Sequence, residues 1–386
     1  MKDRYDIVIA GAGPAGSATA IRLALAGLKV AIVEKAKFPR PKLCGEFISP
    51  ECLEHLETLG VMPDILLAGA VDIDRTFFYT RRGRSLTVES DWFGMAKPAI
   101  GLSRAALDDL LLNRAIDLGV DLINGAVNGL VFGKDVVDGI SLKNSESVRA
   151  ELTIDATGRT GALARHTQKK VDLKRPPHIA FKAHFEGATL DPGACEIYSY
   201  RGGYGGCSRV EGDRSNLCFI ANAQDTRGRG SDGDRMLRDI VFSNMRAEHV
   251  LGTAERMTNW IAVPVDKYGR HEPAPAPGLL AVGDAASFID PFTGSGILLA
   301  LQSSKVAADA VIAHQGELGA ISAAYKAAYS RQFDNRFRIS SLIRRAAFIP
   351  VIADATIAFL SMSRRLTRAV ADATRENKID SLSASD

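Results

Sequence analysis

Three glycines, Gly11, Gly13 and Gly16, stand in a G-x-G-x-x-G spacing within YDIVIAGAGPAG, residues 5–16. At this spacing the first glycine permits a tight turn and the second lets the backbone approach a pyrophosphate. The third lets a helix pack close to a strand. The apolar run before them reads as a strand, and Pro14, Ala15 and Gly16 read as the opening of a helix. Such an N-terminus offers free N–H groups and a partial positive charge to an anion. Glu34, followed by Lys35, ends the next strand, KVAIVE, where its carboxylate can accept from a ribose hydroxyl. Alone, the glycine spacing is weak evidence. Between these two strands, with the acid in register, it predicts a dinucleotide site.

A second group lies far along the chain, in GLLAVGDAASFIDPFTGSGI at 278–297. Its apolar strand delivers Gly283 and Asp284 to a carboxyl end, where ligands sit in open α/β sheets. Asp284 is placed to accept from a polyol hydroxyl or to act through water on a pyrophosphate. Pro291, Gly294, Ser295 and Gly296 make a turn poor in side chains, opening another helix. Backbone N–H groups on such a turn can approach a flat ring carrying negative charge at its edge.

The elements that must position these groups follow from periodicity and punctuation. At 386 residues the chain suits two interleaved domains. A helix is expected with Ser49 as cap, Pro50 in its first turn and Gly60 at its exit, and another from Ser103, as cap, to Leu118. GVDLIN and ELTIDATG read as further strands of the first domain. Residues 71–90 and 176–265 read as mainly strand-like and turn-rich, and 320–375 as helical. The expected architecture is α/β. A Rossmann-type nucleotide domain (1–70, 98–170, 275–325) carries an inserted, mainly antiparallel β substrate domain (71–97, 171–274), and C-terminal helices with a frayed tail follow (326–386).

Bulk composition narrows the function. A net charge of +3 gives no reason to expect a nucleic-acid partner. Five cysteines without a C-x-x-C pair indicate neither a disulfide framework nor a zinc site, so no metal is expected and a reducing cytoplasm fits. Strand-like sequence beginning at Tyr5 argues against a signal peptide. Arg331, Arg336, Arg338, Arg344, Arg345, Arg364, Arg365 and Arg368 bracket apolar stretches near the C-terminus. They suit either solvated helices or peripheral contact with an anionic membrane.

The two glycine motifs, with IDATGRTGALAR between them, resemble FAD-dependent oxidoreductases of the para-hydroxybenzoate-hydroxylase fold. That superfamily includes aromatic hydroxylases, geranylgeranyl reductases and flavin-dependent halogenases. The resemblance covers roughly residues 1–320 and implies FAD as cofactor. It implies that Gly11, Gly13, Gly16, Glu34, Arg104 and Asp284 hold the FAD, with Arg104 reaching its adenosine-diphosphate part. The loop PRPKLCGEFISP (39–50) resembles the geranylgeranyl-reductase branch, which carries Cys-Gly here. By that likeness Cys44 lies near the flavin, shaping the cavity or relaying a proton. As a residue type it could equally be a small buried thiol.

The chain departs from the branch in one place. Geranylgeranyl reductases and halogenases carry a G-Y-x-W-x-x-P stretch in the substrate sheet. In GYGGCSR, Gly203 and Tyr204 match it, Gly206 replaces the tryptophan and Arg209 the proline. The halogenase motif is reduced in TNWIAVPV to Trp260 and Pro264. Tyr204 is a candidate wall of the active site. His55, His178 and His184 read as structural.

The expected activity is an FAD-dependent oxidoreductase acting on a hydrophobic lipid, prenyl or polyketide-like substrate. Hydride reduction of C=C bonds leads, with NAD(P)H as a transient reductant. The alternative is a flavin monooxygenase hydroxylating an aromatic or unsaturated substrate through a flavin hydroperoxide; a halogenase and a non-catalytic flavoprotein rank below both.

Overall fold

The structure is a computed structural model describing residues 4–93, 97–164, 177–230, 232–265, 269–288 and 294–347, with 363, 365, 367 and 368. Its first sheet has a parallel core. Strand Tyr5–Ala10 lies between Val30–Glu34 and Ser147–Asp155, with Asp121–Asn124 beyond one and Leu279–Ala281 beyond the other. The first half of Ser147–Asp155 runs antiparallel to Val136–Leu142, which pairs in turn with Val127–Gly133. The apolar runs that form the core strands are buried on both faces, as a covered parallel sheet requires. Ile7, Ile9 and Ile32 face one apolar cluster, and Val8, Ala10, Ala31 and Val33 face another.

Register decides where the chemistry can occur. Ala10 stands opposite Asp155, and Asp155 opposite Ala281. Three carboxyl ends therefore finish side by side. The glycine turn, the Asp155–Thr157 turn and the Gly283–Asp284 turn leave the sheet at the same edge.

Helices Pro14–Leu25, Arg104–Asp117 and Gly296–Ala313 share one apolar cluster. The last is the one described helix long and apolar enough to cross a membrane, yet most of it is buried inside the protein. Ser103 caps its helix by accepting from the Ala106 N–H at 3.2 Å. Ser49 differs from expectation. It precedes helix Pro50–Thr58 without a side-chain cap, and its hydroxyl lies 3.6 Å from the Cys52 sulfur.

The second sheet is mainly antiparallel. His178–Glu186, Arg214–Asn222, Gly203–Val210 and Ala194–Tyr200 lie in that spatial order, continued by a parallel pairing to Arg75–Tyr79 and an antiparallel one to Ser85–Glu89. Alternation sorts its faces. Phe181, Phe185, Phe219, Tyr198 and Tyr200 pack into a cluster with Met236, Leu237, Val250 and Leu251. Those last four come from helices Gly233–Asp239 and Met245–Leu251, inside a stretch read from sequence as mainly strand. Trp260 belongs to this covered face, where it meets Phe181, Phe185 and Phe219 edge-on. The opposite face looks toward the loop carrying Cys44.

A helix spans Leu318–Ala347, and Tyr325, Tyr329 and Phe333 along it are fully buried. The Tyr325 hydroxyl donates to the Ala281 carbonyl at 2.6 Å. Most of the arginine side chains read as either solvated or in contact with a membrane fall outside the described residues; Arg331, Arg365 and Arg368 are described and exposed.

Candidate active site

The three motif glycines differ in what forbids a side chain. Gly11 has φ +102°, and a Cβ there would stand 2.5 Å from the Ala156 carbonyl oxygen. A Cβ on Gly16 would stand 1.9 Å from the Gly11 carbonyl oxygen. Gly13 has an ordinary φ of −73°, and the nearest atom to its missing Cβ is Arg104 Nη2 at 3.9 Å. Nothing within the chain therefore requires glycine at 13. The opening it leaves faces a guanidinium at a helix N-terminus, a cradle suited to a pyrophosphate.

Glu34 is buried and shapes the turn as well as ending its strand. Its Oε2 accepts from the Ala12 N–H and its Oε1 from the Ala36 N–H, both at 2.9 Å. Lys35 beside it is exposed. Pro14 and Ala15 are buried at the helix start.

Arg104 is held in a fork by the fully buried Asp108, Nε to Oδ1 at 2.6 Å and Nη2 to Oδ2 at 2.8 Å. Burial alone would lower the guanidinium pKa, but Asp108 outweighs it and Cys44 nearby adds to the rise. Arg40 approaches the same Asp108 at 3.3 Å. Two cations thus converge on one carboxylate beside the phosphate cradle.

Gly283 has φ +59°, and a Cβ there would be 2.8 Å from the Ala15 Cβ, so the two halves of the nucleotide motif touch. Its N–H donates to Ser303 Oγ at 2.8 Å. Burial pushes the neighbouring Asp284 carboxyl up, opposed by Arg159, Arg104 and Lys42. Gly294 has φ +62° and lies against Phe47, Ser295 precedes the helix, and Gly296 opens it with free space around its Cα. Pro291 lies outside the described residues. Asp155, which sequence reading passed over, accepts from Thr157 N–H and hydroxyl and from Leu163 and Ala164 N–H groups, at 2.6–3.0 Å. It sets the turn from which Arg159 donates to the Pro264 carbonyl at 3.0 Å and lies over the Phe288 ring.

Cys44 is half-buried. Its sulfur accepts from the Glu46 N–H at 3.3 Å and its carbonyl from Asn216 Nδ2 at 3.1 Å. Glu46 is fully buried. Its Oε1 accepts from the Arg104 N–H at 2.7 Å and from the Lys182 ammonium, and its Oε2 lies 2.6 Å from His184 Nε2. Burial would raise the Glu46 carboxyl pKa; His184 and Lys182 outweigh it and hold it below the ordinary value. His184, read as structural, therefore stands inside the site. Lys182 and His184 are two residues apart on one strand, which puts both on the same face.

That face also carries Tyr204. It packs with Ala180, Ile220, Val265 and Phe288, with Leu43 of the cysteine loop against them. The apolar wall therefore joins the second sheet to the cysteine loop and to Phe288, which follows the Gly283–Asp284 turn. Gly206 lies on the same face, opposite Cys218, and a Cβ there would meet only Ile197 Cδ1, at 3.1 Å. Burial pushes the Cys218 thiol up to about 12.

A parallel nucleotide sheet, a glycine cradle and a second sheet facing it define a flavoprotein oxidoreductase. The chain belongs to the FAD binding domain family, whose model matches residues 4–319, and its cofactor is FAD. It is 31% identical over 348 residues to a digeranylgeranylglycerophospholipid reductase of Methanopyrus kandleri, covering 86% of this chain and 87% of that one. A menaquinone reductase of Mycolicibacterium smegmatis is 26% identical over 370 residues, covering 91% and 87%. Among solved structures, the flavin-dependent brominase Bmp2 has TM-score 0.79 at 23% identity, covering 96% of this chain and 93% of that one. A geranylgeranyl bacteriochlorophyll reductase-like protein of Thermoplasma acidophilum has TM-score 0.77 at 21% identity, covering 95% of each. At these identities the structural likenesses concern the fold.

Proposed function

We propose that this oxidoreductase reduces C=C bonds in a prenyl chain carried by a lipid or quinone, with NAD(P)H as the transient electron donor. The supporting observation is the cysteine loop: Cys44 lies beside Arg104 of the phosphate cradle, and the adjacent Leu43 packs on the apolar wall of Tyr204, Ile220 and Phe288. The names of the prenyl-lipid and menaquinone reductases to which the chain is similar support the substrate class.

FAD, when bound, supplies the hydride that such a reduction needs. Gly11, Gly13, Pro14, Ala15 and Gly16 would receive its pyrophosphate, with Arg104 opposite. Glu34 would accept from the ribose, while Asp284 and the Gly294–Gly296 turn would face the flavin end. Tyr204 and its neighbours would exclude water and align an apolar chain. The Cys44 thiol would hold the proton delivered to the carbon next to the one receiving hydride.

The test is anaerobic. Enzyme reduced beforehand is mixed with a geranylgeranylated glycerophospholipid or with menaquinone, and both flavin absorbance and product mass are followed. Reoxidation by substrate, with a gain of two hydrogens, is the expected result. Reoxidation by oxygen alone, with a product gaining oxygen, would instead establish the hydroxylase reading.

A further inference from the structure

Glu46 combines four features rarely found in one residue. It is a fully buried acid, it has φ +56° without being glycine, and its carboxylate gathers a helix N–H, an ammonium and an imidazole. Its own N–H meets the Cys44 sulfur. Non-glycine residues in the left-handed region are strained and persist where surrounding contacts over-determine them. Here those contacts come from the side chain together with the backbone N–H and carbonyl.

The partners come from distant parts of the chain. Lys182 and His184 stand 136 and 138 residues away, on the substrate-sheet face opposite Asn216 and Cys218. Asn216 holds the Cys44 carbonyl from that same face. Arg104 brings the helix that also faces Gly13. The Glu46 carbonyl accepts from the Leu102 N–H at 3.3 Å, fixing the residue from its other side. Lys182 donates again to the Lys42 carbonyl at 3.2 Å, so the loop is gripped on both sides of Cys44.

We propose that Glu46 is a positioning residue: through Lys182, His184 and the Arg104 N–H it holds the Cys44 sulfur at the seam between the nucleotide cradle and the substrate sheet. This deepens the reductase reading and rests on it only where turnover is measured. The alternative is a buried ion pair that serves stability alone, which would leave the thiol's behaviour unchanged once the protein is folded.

Two readouts separate these on the FAD-loaded enzyme. In the first, iodoacetamide alkylation of Cys44 is timed by peptide mass in wild type and Glu46→Gln at equal FAD content. Release of the loop should raise the rate at least tenfold; an equal or lower rate overturns the proposal. In the second, turnover of a geranylgeranylated phospholipid is measured in Glu46→Gln, Cys44→Ser and the double variant. Glu46→Gln should lower kcat at least tenfold with KM within threefold, and should cost nothing further in the Cys44→Ser background. Additive losses overturn the proposal.

Where Glu46→Gln alone does not fold, Glu46→Gln with Lys182→Met leaves no unpaired charge in the interior, and both readouts apply to it. If wild type reduces no prenyl chain, the proposed function fails and the alkylation result alone decides the role of Glu46.

Discussion

Gly13 and Arg104 face each other across an opening that the chain itself does not fill: a Cβ on Gly13 would find nothing nearer than Arg104 Nη2, at 3.9 Å. Gly13→Val should therefore fold, with an apo melting temperature within about 2 °C of wild type, since surface changes of this kind cost little. Its FAD content, read from absorbance after purification, should fall below about a tenth of wild type because the side chain occupies the pyrophosphate's place. Gly16→Val should behave differently. Its Cβ would stand 1.9 Å from the Gly11 carbonyl oxygen, so loss of folded protein is expected and not merely loss of cofactor.

Asp108 holds both Arg104 and Arg40 while fully buried. Asp108→Asn removes the counter-charge and leaves a guanidinium in the interior without its anion. Breaking such a pair from one side costs about 3–5 kcal/mol when fully buried. Urea denaturation should show a loss near the lower end of that range, together with weaker FAD binding. A change under about 0.5 kcal/mol, the size of an ordinary surface substitution, would contradict the role given to Asp108.

His55 provides a pH signature. Burial, then the charges of Arg22 and Lys305, lower its pKa from 6.5 to about 4. Between those values the unfolded chain binds a proton that the folded chain refuses, so stability should fall as pH drops from 6.5 towards 4. The full shift corresponds to about 3 kcal/mol, and partial solvent access reduces this to about 1–2 kcal/mol. Chemical denaturation at several pH values should show a shallower acid slope for His55→Gln than for wild type. Identical slopes would show that His55 carries no such linkage.

How much of this was legible in the sequence depended on distance along the chain. The glycine turn, Glu34 and the Gly283–Asp284 strand end could be read because short-range spacing fixes each one. The alternation in His178–Glu186 even marked Lys182 and His184, two polar residues on one face of an otherwise apolar strand. Their meaning could not be read, because Glu46 is more than a hundred residues away and pairing register decides who meets it. The Ser49 cap failed for a local reason: its hydroxyl turned to Cys52. The helices between 233 and 251 were missed because their apolar side chains serve the back of a sheet, a tertiary demand that short-range pattern does not carry.

Gly206 offers a fourth experiment. It lies on the face that carries Tyr204, where a Cβ would already press on Ile197 Cδ1 at 3.1 Å. The larger side chain of Gly206→Trp should therefore narrow that face and raise KM for a long geranylgeranylated lipid by about tenfold, the cost of roughly 1.4 kcal/mol of lost binding. A shorter prenyl substrate should be less affected. Equal effects on both, in steady-state assays, would remove Gly206 from the cavity.

The alignment of Ala10, Asp155 and Ala281 has a consequence for biosynthesis. The strand that completes the nucleotide edge comes late in translation, and it slots in beside one made long before. Until residues 279–283 have been made, residues 153–155 lack the strand that pairs with them and Ala15 lacks its contact with Gly283. A chain truncated before Leu279 should therefore leave the cradle incomplete and fail to retain FAD.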